Sequence, residues 1–319
     1  MSTEATKPRF GQALVIQYLQ QIGILAGFIV LILAFAILSP YFLTLDNLLA
    51  IALQSAINAV IALGMTFVIA TGGIDLSVGS IVALAGVIMA DLMRSGVGVP
   101  VSMLAGTVIG VGCGTVNGLL ITKAKLPPFI VTLGMMSFIR GSALIYTSGQ
   151  PIYGVPAAFR FLGSGYIGAI PVPVIIAAVA AGLAYFLLRK TRFGEYTLAI
   201  GGNEEATRLS GVNVGFYKTL VYSFCGLMCT LGTIILVARL NAAEPIAGFN
   251  YELDAIAATV MGGTSLAGGQ ANILGTMVGA LIMGALRNGL NLLNVQAFYQ
   301  QLAIGAVIIL AVLVDRFRK

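Results

Sequence analysis

Asp75 stands where an ionisable side chain costs most. It lies in the run Thr71-Gly72-Gly73-Ile74-Asp75-Leu76-Ser77-Val78-Gly79, between two long apolar stretches with no polar loop around it. A carboxylate held at membrane depth is expensive and marks a functional position by default, for ion or proton coupling or for a substrate path. Its quieter role is to cap the helix that follows. Four amides, Asn58, Asn117, Asn288 and Asn291, also fall inside apolar stretches. Amides there either glue helices together or hydrogen-bond a polyol. Beyond these the inventory is thin. Among 319 residues there is no histidine, which removes the commonest general base, metal ligand and proton relay at once. No nucleophile–base pair and no metal-ligand cluster is visible, so the expectation is a chain that is no enzyme, with no catalytic residue, no metal and no bound cofactor.

A second constellation does its work through charge. Residues 189–214 hold Arg189, Lys190, Arg192, Glu195, Glu204, Glu205 and Arg208, seven charges in a chain that has only 17 basic and 11 acidic residues. Inside this island Asn203 is a good N-cap, Glu204 and Glu205 occupy the positive first turn, and Gly211 is a natural stop. Glu204 and Arg208 stand four apart in the favourable order. The spacing predicts a short surface helix over 203–211, Ala206 included, offered to a soluble partner. The function is then divided between this chain and another protein.

The elements that must position these groups are membrane helices. Hydrophobic residues make up 59% of the chain, charged residues 9%, and mean hydropathy is +1.01. Soluble domains carry roughly 25% charged residues, and a barrel would alternate apolar and polar positions instead of running continuously apolar. The fold expected is all-α, one polytopic membrane unit over 1–319. About ten spans of the length needed to cross ~30 Å of hydrocarbon read as 22–38, 47–70, 77–93, 100–122, 127–147, 172–188, 217–238, 251–265, 273–289 and 297–314. The first reads as an uncleaved span, because it exits through Ser39, Pro40 and Tyr41 without a small-residue cleavage site. With both termini in the cytoplasm, twelve basic residues fall in inner loops and three, Arg94, Arg160 and Arg239, in outer ones. That asymmetry obeys the positive-inside rule, so the net charge of +6 reports orientation and not nucleic-acid binding. The partition gives a cytoplasmic tail over 1–20, an external loop over 148–171 and a cytoplasmic loop over 189–216. The outer loop has too many Gly and Pro for a span and reads as either a docking surface or a connector. Cys113, Cys225 and Cys229 all lie in apolar runs and read as packing residues.

Glycine punctuates the spans. Gly72-Gly73 and Gly262-Gly263 share the pattern Gly-Gly-x-x-Leu-x-x-Gly, the second followed by Thr264 and Ser265. Broken helices at membrane depth survive only against protein or a wet cavity, and paired breaks point to a site at a repeat interface. Their placement suggests a parallel repeat. A second similarity, Gly106-Thr107-Val108-Ile109-Gly110 with Gly275-Thr276-Met277-Val278-Gly279, suggests an inverted one. Gly106, Gly110, Gly114 and Gly118 form a ladder for close helix packing. Glu252 and Asp254 read as first-turn carboxylates, and Arg140 and Arg287 either snorkel or line an access path.

Taken together these motifs resemble the permease subunits of bacterial ABC sugar importers of the ribose type. The resemblance rests on Glu205, Ala206 and Gly211 within the run 201–211, on 71–80, on 251–269, on 288–293 and on the terminal 310–319. It implies a transmembrane subunit that dimerises with a second copy of itself around a central path in the inner membrane. A cytoplasmic ATPase, often a tandem two-domain one, would grip the 203–211 helix and carry the ATP and Mg. A periplasmic sugar-binding protein would deliver the cargo, ribose before other pentoses, hexoses or furanosyl sugars. The chain has no phosphate loop of its own. Its partners are then those two proteins, its own copy and membrane lipid, with no nucleic acid. The candidate path or hinge residues are Gly72, Gly73, Asp75, Ser77, Asn58, Asn117, Gly262, Gly263, Thr264, Ser265, Asn288 and Asn291. The alternatives are a stand-alone carrier coupled through Asp75 and an integral-membrane enzyme. The first lacks a second deep carboxylate, the second any reactive pair.

Overall fold

The computed structural model describes residues 26–316; the expected tail over 1–20 and the start of the first span lie outside them. Thirteen helices follow one another: α1 (Ala26–Leu38), α2 (Leu45–Ala70), α3 (Val78–Arg94), α4 (Val99–Thr122), α5 (Pro128–Thr147), α6 (Ala157–Ser164), α7 (Val172–Lys190), α8 (Arg192–Gly202), α9 (Glu204–Leu209), α10 (Val214–Leu240), α11 (Tyr251–Met261), α12 (Ile273–Leu292) and α13 (Ala297–Arg316). Six of them, α2, α4, α5, α7, α10 and α12, are long and apolar enough to cross a membrane. The protein is a polytopic helical membrane protein.

Local chemistry explains where the helices begin. Pro falls in the first turn of α4, α5 and α7, where its missing N–H costs nothing. Asn203, Asn213 and Asn272 cap α9, α10 and α12, each side-chain oxygen accepting from the backbone N–H three residues on, at 2.9, 3.0 and 3.0 Å. All three caps serve helices that begin at the end of the bundle where the polar island sits.

The core is built on α2 and α10. Leu63, Phe67, Cys225 and Met228 are fully buried. The glycine ladder of α4 packs as its spacing predicts: side chains at Gly110, Gly114 and Gly118 would collide with Gly226–Thr230, Tyr222 and Thr219 of α10, and one at Gly106 with Met89 of α3. Outward faces of α4, α5 and α7 expose Leu104, Val108, Phe138, Ile145 and Val179. At the opposite end, segment 148–171 forms no spanning helix. Its strand β1 (Ile152–Tyr153) pairs antiparallel with β4 (Ala242–Ala243), and β2 (Tyr166–Ile167) with β3 (Ile170–Pro171). Asn241, in the left-handed region, accepts from Val155 N at 3.1 Å and so ties this loop to the end of α10. The three cysteines are free, and Cys225 and Cys229 are buried packing groups.

Candidate functional site

The polar island folds into two helices instead of one. The expected element appears as α9, with Asn203 as its cap and Gly211 at φ +85° just beyond its end. Before it, α8 takes up residues expected only as part of the cytoplasmic loop over 189–216. Phe193 explains why α8 is helical and docked. Its ring stacks on Phe67 of α2 at 5.3 Å and meets Phe224 of α10 edge-on at 6.0 Å, while Gly194, Thr197 and Ile200 of the same face are buried.

On α9 the charges form one net. Arg208 donates from Nη2 to Glu204 Oε1 at 2.7 Å and from Nη1 to Glu205 Oε2 at 2.8 Å, and Lys218 Nζ donates to Glu204 Oε2 at 2.8 Å. The two exposed Arg208 pairs are each worth about 0.2–1 kcal/mol, so they hold orientation more than stability. The hydrogen bond from Lys218, aided by the Lys218 and Arg208 charges and opposed by partial burial, holds the Glu204 carboxyl below its ordinary range. Thr207 alone faces inward; Leu209 at the tip is 80% exposed. The tip of α9 thus presents one exposed leucine beside the charge net.

Both Gly-Gly breaks come to the foot of this unit. Gly269 N donates to the Ala70 carbonyl at 2.9 Å, and that same carbonyl lies against Gly201 of α8 so closely that a Cβ there would overlap it. Gly268 and Gly269 both have positive φ, and they pack on Gly201, Gly202 and the Gly72 amide. Three chain segments, 70–72, 201–202 and 268–269, thus meet backbone to backbone. Above this junction Thr66 Oγ1 and Thr276 Oγ1 share a hydrogen bond at 2.9 Å, and Thr259 Oγ1 donates to the Ala62 carbonyl at 3.2 Å. Within the second break Thr264 Oγ1 accepts from Asn272 N at 3.2 Å and Ser265 Oγ from Ala267 N at 3.3 Å. Gly262 packs on Gly275 of α12.

The other expected site residues divide into separate places. Asp75, 0% exposed, accepts from Ser77 N at 2.9 Å and Ser77 Oγ at 2.6 Å. Asn117 Nδ2 donates to Ser77 Oγ at 2.8 Å and reaches both carboxylate oxygens at 3.5 Å. Asp75 does not cap α3: the helix starts one residue after Ser77, and the carboxylate closes a turn ahead of it. Gly73 packs on the Tyr222 hydroxyl of α10. Asn288 donates to Asn47 Oδ1 at 2.9 Å and Asn291 accepts from Gln300 at 2.7 Å, both at the opposite end. Asn58 lies at the middle of α2.

Sequence reasoning missed three features. Asp254, expected only to sit in a helix's first turn, also pairs with Arg287 across the second break, Arg287 Nη2 donating to its two oxygens at 2.8 and 2.7 Å. A second carboxylate is therefore buried within the bundle, with its cation beside it. Arg140 neither snorkels nor stands free, since its Nη1 donates to the Pro245 and Ala247 carbonyls. Lys218 and Phe193, which hold α9 and α8 in place, carried no local signal beyond a lone charge and a lone aromatic at the island's edges.

The chain matches, over residues 47–312, the family described as the permease component of the branched-chain amino acid transport system. It is 50% identical over 300 residues to the ribose import permease protein of Bacillus subtilis, with 93% of each chain covered. The corresponding ribose import permease protein of Escherichia coli is 48% identical over 295 residues, covering 91% of this chain and 92% of that one. The D-allose transport system permease protein of Escherichia coli is 40% identical over 290 residues, covering 90% and 89%. No solved structure matches the chain.

Proposed function

The chain belongs to this family of transport-system permease components, and from that membership we propose that it forms the transmembrane path of an ATP-driven importer for a monosaccharide, D-ribose first. A permease component is not the ATPase, so ATP and Mg act on a separate subunit. The family description speaks of branched-chain amino acids, but the relatives at 40–50% identity are named for ribose and allose. Near-complete coverage at that identity favours a sugar.

The observation that carries the coupling is the pairing of an exposed, ion-latched helix with a junction that touches both breaks. In this reading α9 lies in the cytoplasm, where a positive-inside partition puts it, and Asn203, Glu204, Glu205, Ala206, Arg208 and Gly211 form the face gripped by the ATPase. When two ATPase domains close, α9 is pushed and α8, separated from it by Asn203 alone, moves with it, and the contacts of Phe193 and Gly201 pass that motion to the bundle. The displacement reaches the Ala70 carbonyl and Gly269 directly, and the segments holding Gly72, Gly73, Gly262 and Gly263 flex as hinges. Ten of the helices are passes through the membrane. One of them is discontinuous: α11 has 11 residues, about 16 Å of rise, too short to cross alone, and the irregular stretch up to Asn272 completes it. Both termini are cytoplasmic, a second copy of the chain closes the path, and the tethered 148–171 loop faces a sugar-delivering protein outside. Asp75, enclosed by Ser77 and Asn117, positions the start of α3 and has no coupling ion to carry.

The test is gentle purification of the tagged chain from its host, beside Glu205→Lys. Glu205 is exposed, so the reversal leaves the fold intact. The reading expects an ABC ATPase with the wild type and none with the variant. A chain that arrives alone, or an ATPase retained equally by both, contradicts it.

A further inference from the structure

Between α2, α10, α11 and α12, at the end opposite α9, lies a cavity of about 250 Å³. Its polar lining comes from Gln54, Ser55 and Asn58 of α2, Arg239 of α10, Tyr251 and Asp254 of α11, and Arg287 of α12. Asn58 is thirteen residues from the start of α2, so the cavity reaches about 20 Å down that helix, roughly half its length. Two of its polar atoms stand out. Ser55 Oγ, on a side chain only 2% exposed, and Asn58 Oδ1 are both buried without a hydrogen-bond partner among the described residues. Buried polar atoms without partners are rare and ask for an explanation. Both belong to side chains lining the same cavity.

We propose that this cavity is an external monosaccharide-holding site, one in each copy of the chain, which receives the sugar before it passes inward. The proposal rests on the importer reading above and names where the cargo first lodges. Size fits: at roughly 30 Å³ per water, 250 Å³ holds about eight waters, comparable to the ten heavy atoms of an aldopentose. Charge fits as well. Asp254 and Arg287 neutralise each other at 2.7 Å, and the remaining charge on the lining, Arg239 of α10, is a donor from which the oxygens of a polyol can accept. Each sugar hydroxyl both donates and accepts, so it can accept from Arg239 and from the guanidinium N–H groups that Arg287 does not direct at Asp254, and donate to Asn58 Oδ1 or Ser55 Oγ once that side chain turns into the cavity. Tyr251 supplies a ring flank for the apolar C–H face. A mostly apolar cavity with a few convergent polar groups is the usual form of a small-molecule site.

The test places single cysteines at Ser55, Asn58 and Gln54, and at Ser164 on α6 as a control outside the cavity, in cells that express the full chain. A membrane-impermeant methanethiosulfonate is added outside, and its reaction rate is measured with and without D-ribose, D-allose, L-arabinose or the acyclic polyol mannitol. Unsubstituted protein gives the background from Cys113, Cys225 and Cys229. The proposal predicts modification from outside at a cavity position, slowed at least threefold by one of the aldoses and not by mannitol, with the Ser164→Cys rate unchanged. Three cavity cysteines that never react, rates untouched by every aldose that the cells import, or equal slowing at Ser164→Cys would overturn it. Uptake in the same cells, measured with ATP present and depleted, separates the two readings. ATP-driven uptake without protection sinks the cavity and leaves the importer; protection without ATP-driven uptake sinks the importer and leaves the cavity.

Discussion

Gly201→Ala adds one methyl group where three backbones meet. That Cβ would overlap the Ala70 carbonyl and crowd the Gly269 amide, two groups that hydrogen-bond each other at 2.9 Å. Neither neighbour is a flexible side-chain end that can swing aside. Relief requires α8 to lift, which carries an overpacking cost of about 1–3 kcal/mol. It also loosens a buried backbone hydrogen bond, whose unpaired groups cost about 1–3 kcal/mol more. The total is about 2–6 kcal/mol. At roughly 2–4 °C per kcal/mol, melting falls by at least about 4 °C. The natural control is the adjacent Gly202→Ala, whose Cβ would meet open space and which gains helix propensity; its shift should be zero or slightly upward. A thiol-reactive fluorophore that lights up as Cys225 and Cys229 are exposed gives both melting curves in detergent. Equal shifts in the two variants, or an unchanged melting point for Gly201→Ala, would refute the junction as the rigid link between α8 and the breaks.

Three further outcomes follow from the same geometry. Glu204 has a depressed pKa, so its contribution is present above the ordinary carboxylate range near ~4.3 and is lost as pH falls through the lower folded value. The difference in melting point between wild type and Glu204→Gln should therefore stay constant from neutral pH to about 5 and vanish only below about 4; a difference that titrates near neutral pH argues against the Lys218 latch. Asp254→Asn leaves Arg287 unpaired and should cost about 1–3 kcal/mol, less than the cost of breaking a fully buried pair, because Arg287 is 39% exposed. The double variant Asp254→Asn, Arg287→Gln should lose less than the sum of the single losses in a double-mutant cycle, and strict additivity would deny the pair. On α4, Gly110→Ala should lower melting or yield through collision with Thr230 and the Gly226 carbonyl, whereas Gly112→Ala, facing open space, should shift stability by no more than about 0.5 kcal/mol.

Local patterns were the readable part of this chain. The ten apolar stretches correspond in order to α1–α5, α7 and α10–α13, because continuous apolar runs and flanking Gly, Pro and charge are signals that a short window contains. The α9 cap was legible for the same reason: Asn203, two acids and Gly211 all lie within nine residues. What escaped was long-range. Nothing within 192–202 announces that Phe193 will sit between Phe67 and Phe224, and without that anchor a segment ending in two glycines reads only as part of the loop over 189–216. Asp254 and Arg287 are brought together only by the path of residues 262–272, which sequence spacing does not encode. The meeting of Ala70, Gly201 and Gly269 joins three segments far apart in sequence, and the pattern that paired the two Gly-Gly breaks does not include Gly201. Span ends shifted for a physical reason too. The eighth was expected to run to residue 265 but stops at Met261, where Gly262 must pass against Gly275 and Gly263 adopts φ +88°.

The energy source tests the central claim most directly. Uptake of radiolabelled D-ribose by cells expressing the chain would be followed under arsenate, which depletes ATP, and separately under a protonophore with ATP maintained. The account predicts that uptake stops with ATP loss and persists without the ion gradient. Uptake that survives ATP depletion and collapses with the gradient would contradict it and return Asp75 to the role of coupling residue.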